Sequence, residues 1–305
     1  MSALNAYSLA LILNEGSFSF VKAAQSLGFV SHDALTRSLL KVWRSPDVID
    51  WDALPKSGVL IVDDTVIAKP HSECISHVTW TYDSCESRVV RGISFLLALW
   101  VSEGRTHILS VSFPGTENRQ DLFESLLKEL NAREFEVETV LMDTWYGSSR
   151  ILNLIHSFGW RYVSRAKGNR LFNGQALQTF RFNGARCRIG RLKGIQHRVQ
   201  VAKHHDRYLV TNELEPHTSQ TLADAYQKRW VIETVFRALK SVLHLEQCSC
   251  RSVDAQISHA LCALEAYLYL QREFPGNSTE SAQQEMLRRY RCHNCRPDLI
   301  QLVTA

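Results

Sequence analysis

Residues 58–65 read Gly-Val-Leu-Ile-Val-Asp-Asp-Thr, an almost unbroken apolar run closed by two acids. So short a run, preceded by Pro46 and Pro55, is the pattern of a strand buried on both faces. It predicts a strand over Gly58–Asp63, with Asp64 at its C-terminal end. Working outward, Val89–Val101 and Thr106–Phe113 read as two more strands that turn at Glu103-Gly104. Asn118–Leu130 sets Leu122, Leu126, Leu127 and Leu130 on one side, the mark of a helix. Val137–Met142 is a second buried run that ends at Asp143. Gly147–Phe158 is helical, and Trp160–Arg165 is again a strand.

Strand, strand, strand, helix, strand, helix, strand is the element order of a ribonuclease-H-like mixed sheet, so the fold class is α/β. Residues 166–212 break the alternation. Thr179–Phe182, Arg186–Leu192, Arg198–Ala202 and Tyr208–Thr211 are short alternating runs divided by Asn183-Gly184 and Lys193-Gly194, an antiparallel β insertion. Long helices are then expected over Thr221–Leu245, Asp254–Phe274 and about Glu280–Tyr290. At the other end the first ~45 residues read as helical. Within Ser19–Leu40, the spacing of Val21, Ala24 and Leu27, a turn at Gly28 and an N-cap at Ser31 before Leu35, Leu39 and Leu40 suggest a helix-turn-helix. His32, Asp33, Thr36 and Arg37 would face a DNA groove from its second helix. The expected organisation is therefore a helical region at 1–50, a catalytic domain at 51–165 and 213–250, the basic β insertion at 166–212, and a C-terminal helical region at 251–305.

Composition is that of a globular chain, with 45% hydrophobic and 22% charged residues among 305. No apolar run reaches the ~18–20 residues of a membrane span, and the nearest, Ile93–Val101, is about half that length. The first residues lack a secretory pattern, so a cytoplasmic, nucleoid-associated place is expected. The eight cysteines are expected to be reduced thiols. Cys248-x-Cys250 with Cys292-x2-Cys295, and His71-x2-Cys74-x2-His77, are poor zinc patterns, the first for its single spacer residue and the second for want of a fourth ligand. The net charge is only +4, yet Trp160–Val210 holds twelve Arg and Lys against one acid, Asp206. Glu117–Glu138 tips the other way, with seven acids to three bases. Such a basic block suits a polyanionic partner.

Three acids stand where a two-metal site would be built. Asp64 and Asp143 end two buried strands, and sites form at strand ends in sheets with helical crossovers. Two carboxylates brought together there repel unless a cation intervenes, and hard oxygen donors suit Mg²⁺ or Mn²⁺. The third acid is on the helix expected from Thr221. At about 100° per residue, Tyr226, Arg229, Glu233, Arg237 and Lys240 share one stripe, and Val231, Ile232, Val235, Leu239, Val242 and Leu243 take the opposite face. An acid among cations suits a metal-bound phosphodiester, Glu233 completing the ligands and Arg229 and Lys240 holding phosphates. Each acid alone could be a helix cap or a surface ion pair.

Tyr226-x2-Arg229-x3-Glu233-x6-Lys240 resembles the Tyr-Arg-Glu-Lys signature of the IS-four family of bacterial insertion-sequence transposases, in the DDE superfamily. Asp63-Asp64-Thr65 and Asp143-Thr-Trp-Tyr-Gly-Ser are similar to that family's first and second acid blocks, and the likeness runs over about Leu54–Leu270. It implies catalytic and metal-binding roles for Asp64, Asp143 and Glu233, with Mg²⁺ as cofactor and Mn²⁺ as substitute. Tyr226, Arg229 and Lys240 would contact the element's terminal inverted repeats, with Arg237, His32 and Arg37 as further DNA contacts. Asp63 is the lesser candidate for first ligand, because Asp64 directly precedes Thr65 and the two point to opposite faces of a strand. The resemblance further implies hydrolysis at the element's ends, joining of the 3′ ends to target DNA, and a homodimer on paired ends. Lys69-Pro70-His71-Ser72 would form a DNA-facing loop. The insertion departs from relatives that stack a tryptophan on a flipped base, for after Trp160 it has Phe172, Phe180, Phe182 and Tyr208 but no Trp. The competing readings are a decayed or non-catalytic transposase-derived DNA-binding protein and a general nuclease of the same fold.

Overall fold

The computed structural model describes residues 4–40, 51–83, 88–182, 187–215 and 217–291. In chain order they form α1 (Ala6–Leu13), α2 (Phe20–Leu27), α3 (His32–Leu39), β1 (Ser57–Ala68), β2 (Thr79–Asp83), β3 (Arg88–Ser102) and β4 (Arg105–Ser112). There follow α4 (Arg119–Ala132), β5 (Glu136–Met142), α5 (Ser149–Ser157), β6 (Arg161–Ala166), β7 (Leu171–Phe172), β8 (Gln175–Ala176), β9 (Cys187–Gly190), β10 (Val199–His204) and β11 (Arg207–Thr211). The chain closes with α6 (Ser219–Gln227), α7 (Trp230–Ser241), α8 (Val253–Glu273) and α9 (Thr279–Arg291). Two compact units divide it: one of Met1–Val48, Thr65–Ser94 and Thr234–Ala305, the other of Ile49–Asp64 and Phe95–Glu233.

In the second unit the strands lie in the order β4–β3–β1–β5–β6–β11–β10–β9. β3 and β4 form a hairpin whose two turn residues, Glu103 and Gly104, both have positive φ (51° and 74°), as a tight two-residue turn demands. β5 runs parallel to β1, with Leu60 opposite Val140 and Val62 opposite Met142. β6 runs parallel to β5, and the crossovers are α4 and α5. Leu60 and Val62 of β1 join Phe123, Leu127 and Leu130 of α4 and Ile151, Leu152 and Ile155 of α5 in one buried cluster. By the two-residue period, Ile61 and Asp63 face the other side, and α6 packs against β6, β10 and β11. This is the ribonuclease-H-like arrangement of helices about a mixed sheet.

Three expectations change, while the insertion strands are antiparallel as the sequence reads: β11 pairs with β6, and β10 and β9 follow, extending the main sheet. β1 does not stop at the acids: Thr65, Val66 and Ile67 are β-branched and suit a strand, so Asp64 lies inside β1 rather than at its end. Thr179–Phe182 is no strand. The rings of Phe172, Phe180 and Phe182 stack edge to face at 5.0 and 5.1 Å, and Phe172 is fully buried. Of the two expected turns, Asn183-Gly184 lies outside the described residues and Lys193-Gly194 is present, with Gly194 at φ 84°. Finally, the long helix from Thr221 is broken. Arg229 N–H bonds to Tyr226 O at 3.0 Å and Ile232 N–H to Arg229 O at 3.1 Å, tightened bonds that separate α6 from α7.

In the first unit, α1 packs against α2, α8 and α9, and α3 against α8. The α2–turn–α3 geometry is as the sequence reads. Ser19 and Ser31 cap the two helices, and Gly28 closes α2 in the left-handed region at φ 72°. Ala23, Leu27, Leu35 and Leu39 are buried, whereas Val21 and Leu40 are 53% and 56% exposed. His32 and Arg37 are exposed on α3. Cys292-x2-Cys295 lies outside the described residues, and no described helix is long and apolar enough to cross a membrane.

A buried polar chain anchors α1 to α8. Tyr7 OH lies 2.8 Å from His259 Nδ1, and His259 Nε2 lies 2.8 Å from the His244 carbonyl. The carbonyl can only accept, so Nε2 carries the proton and Nδ1 accepts from Tyr7. Burial pushes His259 down to about 4, with Lys69 and His244 acting the same way against the bond to the His244 carbonyl. Because the folded value lies below the ordinary 6.5, the unfolded chain protonates first as pH falls. Stability from this residue is full above pH 6.5 and is lost from there to about 4, on the order of 3 kcal/mol. Chemical denaturation of His259→Gln against wild type should show a less stable variant at pH 7 and a shallower loss between pH 6.5 and 4. Parallel curves would exclude the neutral buried imidazole.

Candidate active site

The alternation of β1 gives each acid its own surroundings. Asp64 points to the side of Leu60 and Val62, where Tyr146 OH donates to its Oδ1 at 2.7 Å and Arg119 binds its Oδ2. Burial raises its pKa, offset by Arg119 and the Tyr146 bond. Tyr146 is fully buried against Phe123, their rings edge to face at 5.5 Å. Asp63 points to the other side and meets Arg229, whose second guanidinium nitrogen binds Glu233. Burial pushes the Asp63 carboxyl up to about 7; Arg229 pulls it down, and the charges of Asp143 and Asp64 push it up again. Burial opposes the charge of Arg229, but Asp63, Tyr226 and Glu233 together hold its pKa above the ordinary value.

Asp143 follows β5. Its Oδ1 accepts from the backbone N–H of Trp145 at 2.8 Å and of Tyr146 at 3.3 Å, so the acid folds its own loop. Ser164 Oγ and Gly147 N–H both donate to the Asp143 carbonyl at 3.2 Å, and a side chain at 147 would collide with Ser164. That close approach requires the glycine. Ser148 then caps α5.

The structure therefore joins Asp63, Arg229 and Glu233 by direct contact and brings the charge of Asp143 to bear on both aspartates of β1. Asp64, the first acid expected from the sequence, is instead bound by Tyr146 and Arg119. Among the described residues no three His, Cys, Asp or Glu side chains are grouped closely enough to hold a metal ion. Tyr226 sits under the Arg229 guanidinium, 5.6 Å from ring centroid to Cζ. Its hydroxyl is buried with no partner among the described residues, and burial pushes it up to about 12. A cavity of about 400 Å³ opens beside these groups, lined by Tyr226, Arg229, Trp230, Glu233, Arg165 and Arg207.

The remaining expected contacts are placed elsewhere. Lys240 Nζ donates to the Val66 carbonyl and pairs with Glu246, both at 2.9 Å. Lys69, expected to face DNA, turns inward and donates to the carbonyls of Glu246 and Cys248 at 2.9 and 2.8 Å. Arg237 is exposed on α7.

The family model described as a transposase DDE domain matches residues 54–269, well over half of the chain. The chain belongs to the transposase DDE domain family. The chain is also similar to the Drosophila P element transposase in a strand transfer complex, at 15% identity and a TM-score of 0.31. That match covers 95% of this chain and 65% of the other, so this chain spans less than two thirds of that relative's length. No curated protein matches it significantly.

In this DDE-family chain the two neighbouring aspartates can be told apart by experiment. Mn²⁺ titration followed by calorimetry should show binding weakened tenfold or more in Asp63→Asn and in Asp143→Asn. Asp64→Asn should keep the binding yet lower stability by about 1–3 kcal/mol, because Tyr146 and Arg119 lose a charged acceptor. The reverse pattern would return the first-ligand role to Asp64.

Proposed function

We propose that the chain is a metal-dependent DNA transposase that binds the terminal inverted repeats of its insertion sequence, hydrolyses the strand there and joins the 3′ end to target DNA. The observation that carries this is the bridge of Arg229 between Asp63 and Glu233. One guanidinium joins an acid of a strand to an acid of a helix. The donor set fits a hard divalent cation, since it is all carboxylate oxygen. Asp63, Asp143 and Glu233 would hold Mg²⁺, or Mn²⁺ in its place. Such ions lower the pKa of water and neutralise a leaving oxygen during in-line attack at phosphorus.

The chain's own groups do the rest. Arg229 has a planar fork suited to carboxylate and phosphate alike, so an arriving phosphodiester competes for it with Asp63 and Glu233. Tyr226, with a buried hydroxyl that lacks a partner, is placed to donate to a phosphate oxygen from the floor of the same cavity. Asp64 acts as a positioning residue: it holds Tyr146, and with it the loop that carries Asp143. Lys240 braces the Val66 carbonyl, a role that precedes any contact with DNA. The exposed side chains His32 and Arg37 on α3 suit a groove of the terminal repeat, and Arg237 a phosphate. A homodimer on paired ends and a place in the bacterial cytoplasm, with the nucleoid, follow from the resemblance to IS-four transposases.

One observation favours the second reading, a DNA-binding protein without catalysis: no described trio of acids is grouped for a metal ion. A labelled duplex carrying the inverted repeats that border the gene separates the two. Incubated with Mg²⁺, the wild-type chain should nick it at the repeat end, and Asp143→Asn should lose at least a thousandfold in rate while still shifting the duplex in a gel. Binding without Mg²⁺-dependent nicking by the wild type would favour the non-catalytic protein. Equal cutting of duplexes without the repeats would favour a general nuclease.

A further inference from the structure

We infer that Cys248 and Cys250 form a modification site for peroxides, Cys250 taking up the oxygen and Cys248 closing a disulfide onto it. The two residues stand in the loop between α7 and α8, and both are free thiols. Each sulfur hydrogen-bonds the other. Cys248 is buried, with 4% exposure, whereas Cys250 is half-buried and so within reach of a small solute. Their backbone is held on two sides. Gln256 Nε2 of α8 donates to the carbonyls of Cys248 and Cys250 at 3.2 and 2.6 Å. Lys69 Nζ donates to those of Glu246 and Cys248 at 2.9 and 2.8 Å. Cys248 Sγ also lies 3.9 Å from the Ala255 carbonyl. The fold thus keeps one thiol against the other.

The surroundings give the two sulfurs different chemistry. The hydrogen bond from Cys248 lowers the pKa of Cys250, burial opposes this, and the charge of Lys69 lowers it further. That same bond, and then burial, push Cys248 up. The thiolate is the reactive form of a cysteine. An accessible cysteine of lowered pKa beside a second thiol is the arrangement that peroxides oxidise selectively. In the first step the Cys250 thiolate attacks a peroxide oxygen, the O–O bond breaks, and a sulfenic acid forms. The hydroxide that leaves takes up the proton Cys250 has released. The Cys248 sulfur then attacks that of Cys250, the S–O bond breaks, and the departing hydroxide takes the Cys248 proton. Two thiols and one hydrogen peroxide give one disulfide and two waters; the sulfurs lose two electrons and the peroxide gains them.

The test treats the full chain with hydrogen peroxide, blocks the remaining thiols with iodoacetamide and reads tryptic peptides by mass spectrometry. Trypsin cuts after Lys240 and Arg251, so one peptide, 241–251, carries both sulfurs. In the wild type it should lose two hydrogens and take up no iodoacetamide, and dithiothreitol should restore both sites. The loss should run about tenfold faster than oxidation of Cys74, which is exposed in the same chain. In Cys248→Ala the sulfenic acid has no partner, so dimedone should label Cys250. In Cys250→Ala dimedone should leave Cys248 unlabelled. Circular dichroism checks the fold of both variants, and the wild-type peptide decides the disulfide without them. A peptide that keeps both thiols after Cys74 is oxidised overturns the inference, as does dimedone on Cys248 in Cys250→Ala. None of these readouts uses DNA, so they stand or fall apart from the transposase reading.

Discussion

A carboxylate in the middle of a central strand is largely cut off from water, and Asp63, part-buried there, is such a group. Its position is tenable because Arg229 reaches it from the turn between α6 and α7 and reaches Glu233 with the same guanidinium. Removing one partner of a buried pair leaves an uncompensated charge, worth about 3–5 kcal/mol. The geometry of the site thus depends on a cation that the chain itself supplies, and one well suited to exchange acids for phosphate.

The strand period sorts the neighbouring acids before any chemistry is considered. Asp64 faces α4 and the buried ring of Tyr146, and there its charge organises protein: it fixes Tyr146 and Arg119. Asp63 faces Arg229 and Glu233. Two adjacent aspartates can therefore divide the work, one holding the loop that carries Asp143, the other completing the acidic face. The pKa of Asp63 is raised first by burial, which Arg229 offsets only in part, and then by the charges of Asp143 and Asp64.

Much of this was legible in the sequence. The apolar run at 58–62, the Glu103-Gly104 turn and the leucine spacing of α4 each report a local rule, so the order of elements could be read directly. The α2–turn–α3 unit was readable for the same reason, since Ser19, Gly28 and Ser31 act on their own backbone. What failed was non-local. The end of β1 was placed at its acids because charge usually ends a buried run, yet Val66 and Ile67 carry the strand onward. The break at Arg229 leaves no Gly or Pro behind it, so periodicity ran straight through. A separate matter is the choice between Asp63 and Asp64: spacing along the chain does not encode which face of β1 meets Arg229.

The basic block at 160–210 shows how pairing turns composition into place. Taken alone, it reads as a cationic antiparallel insertion. β11 pairs with β6, and β10 and β9 follow, so the segment extends the main sheet from the strand next to β5. Some of its charge is then committed: Arg161 pairs with Glu213 at 3.3 Å and Arg170 braces Gly147 and Ser149. Arg165, Lys167 and Lys193 line one cavity, while Arg181, Arg191, Arg198, Lys203 and Arg207 are exposed along the segment.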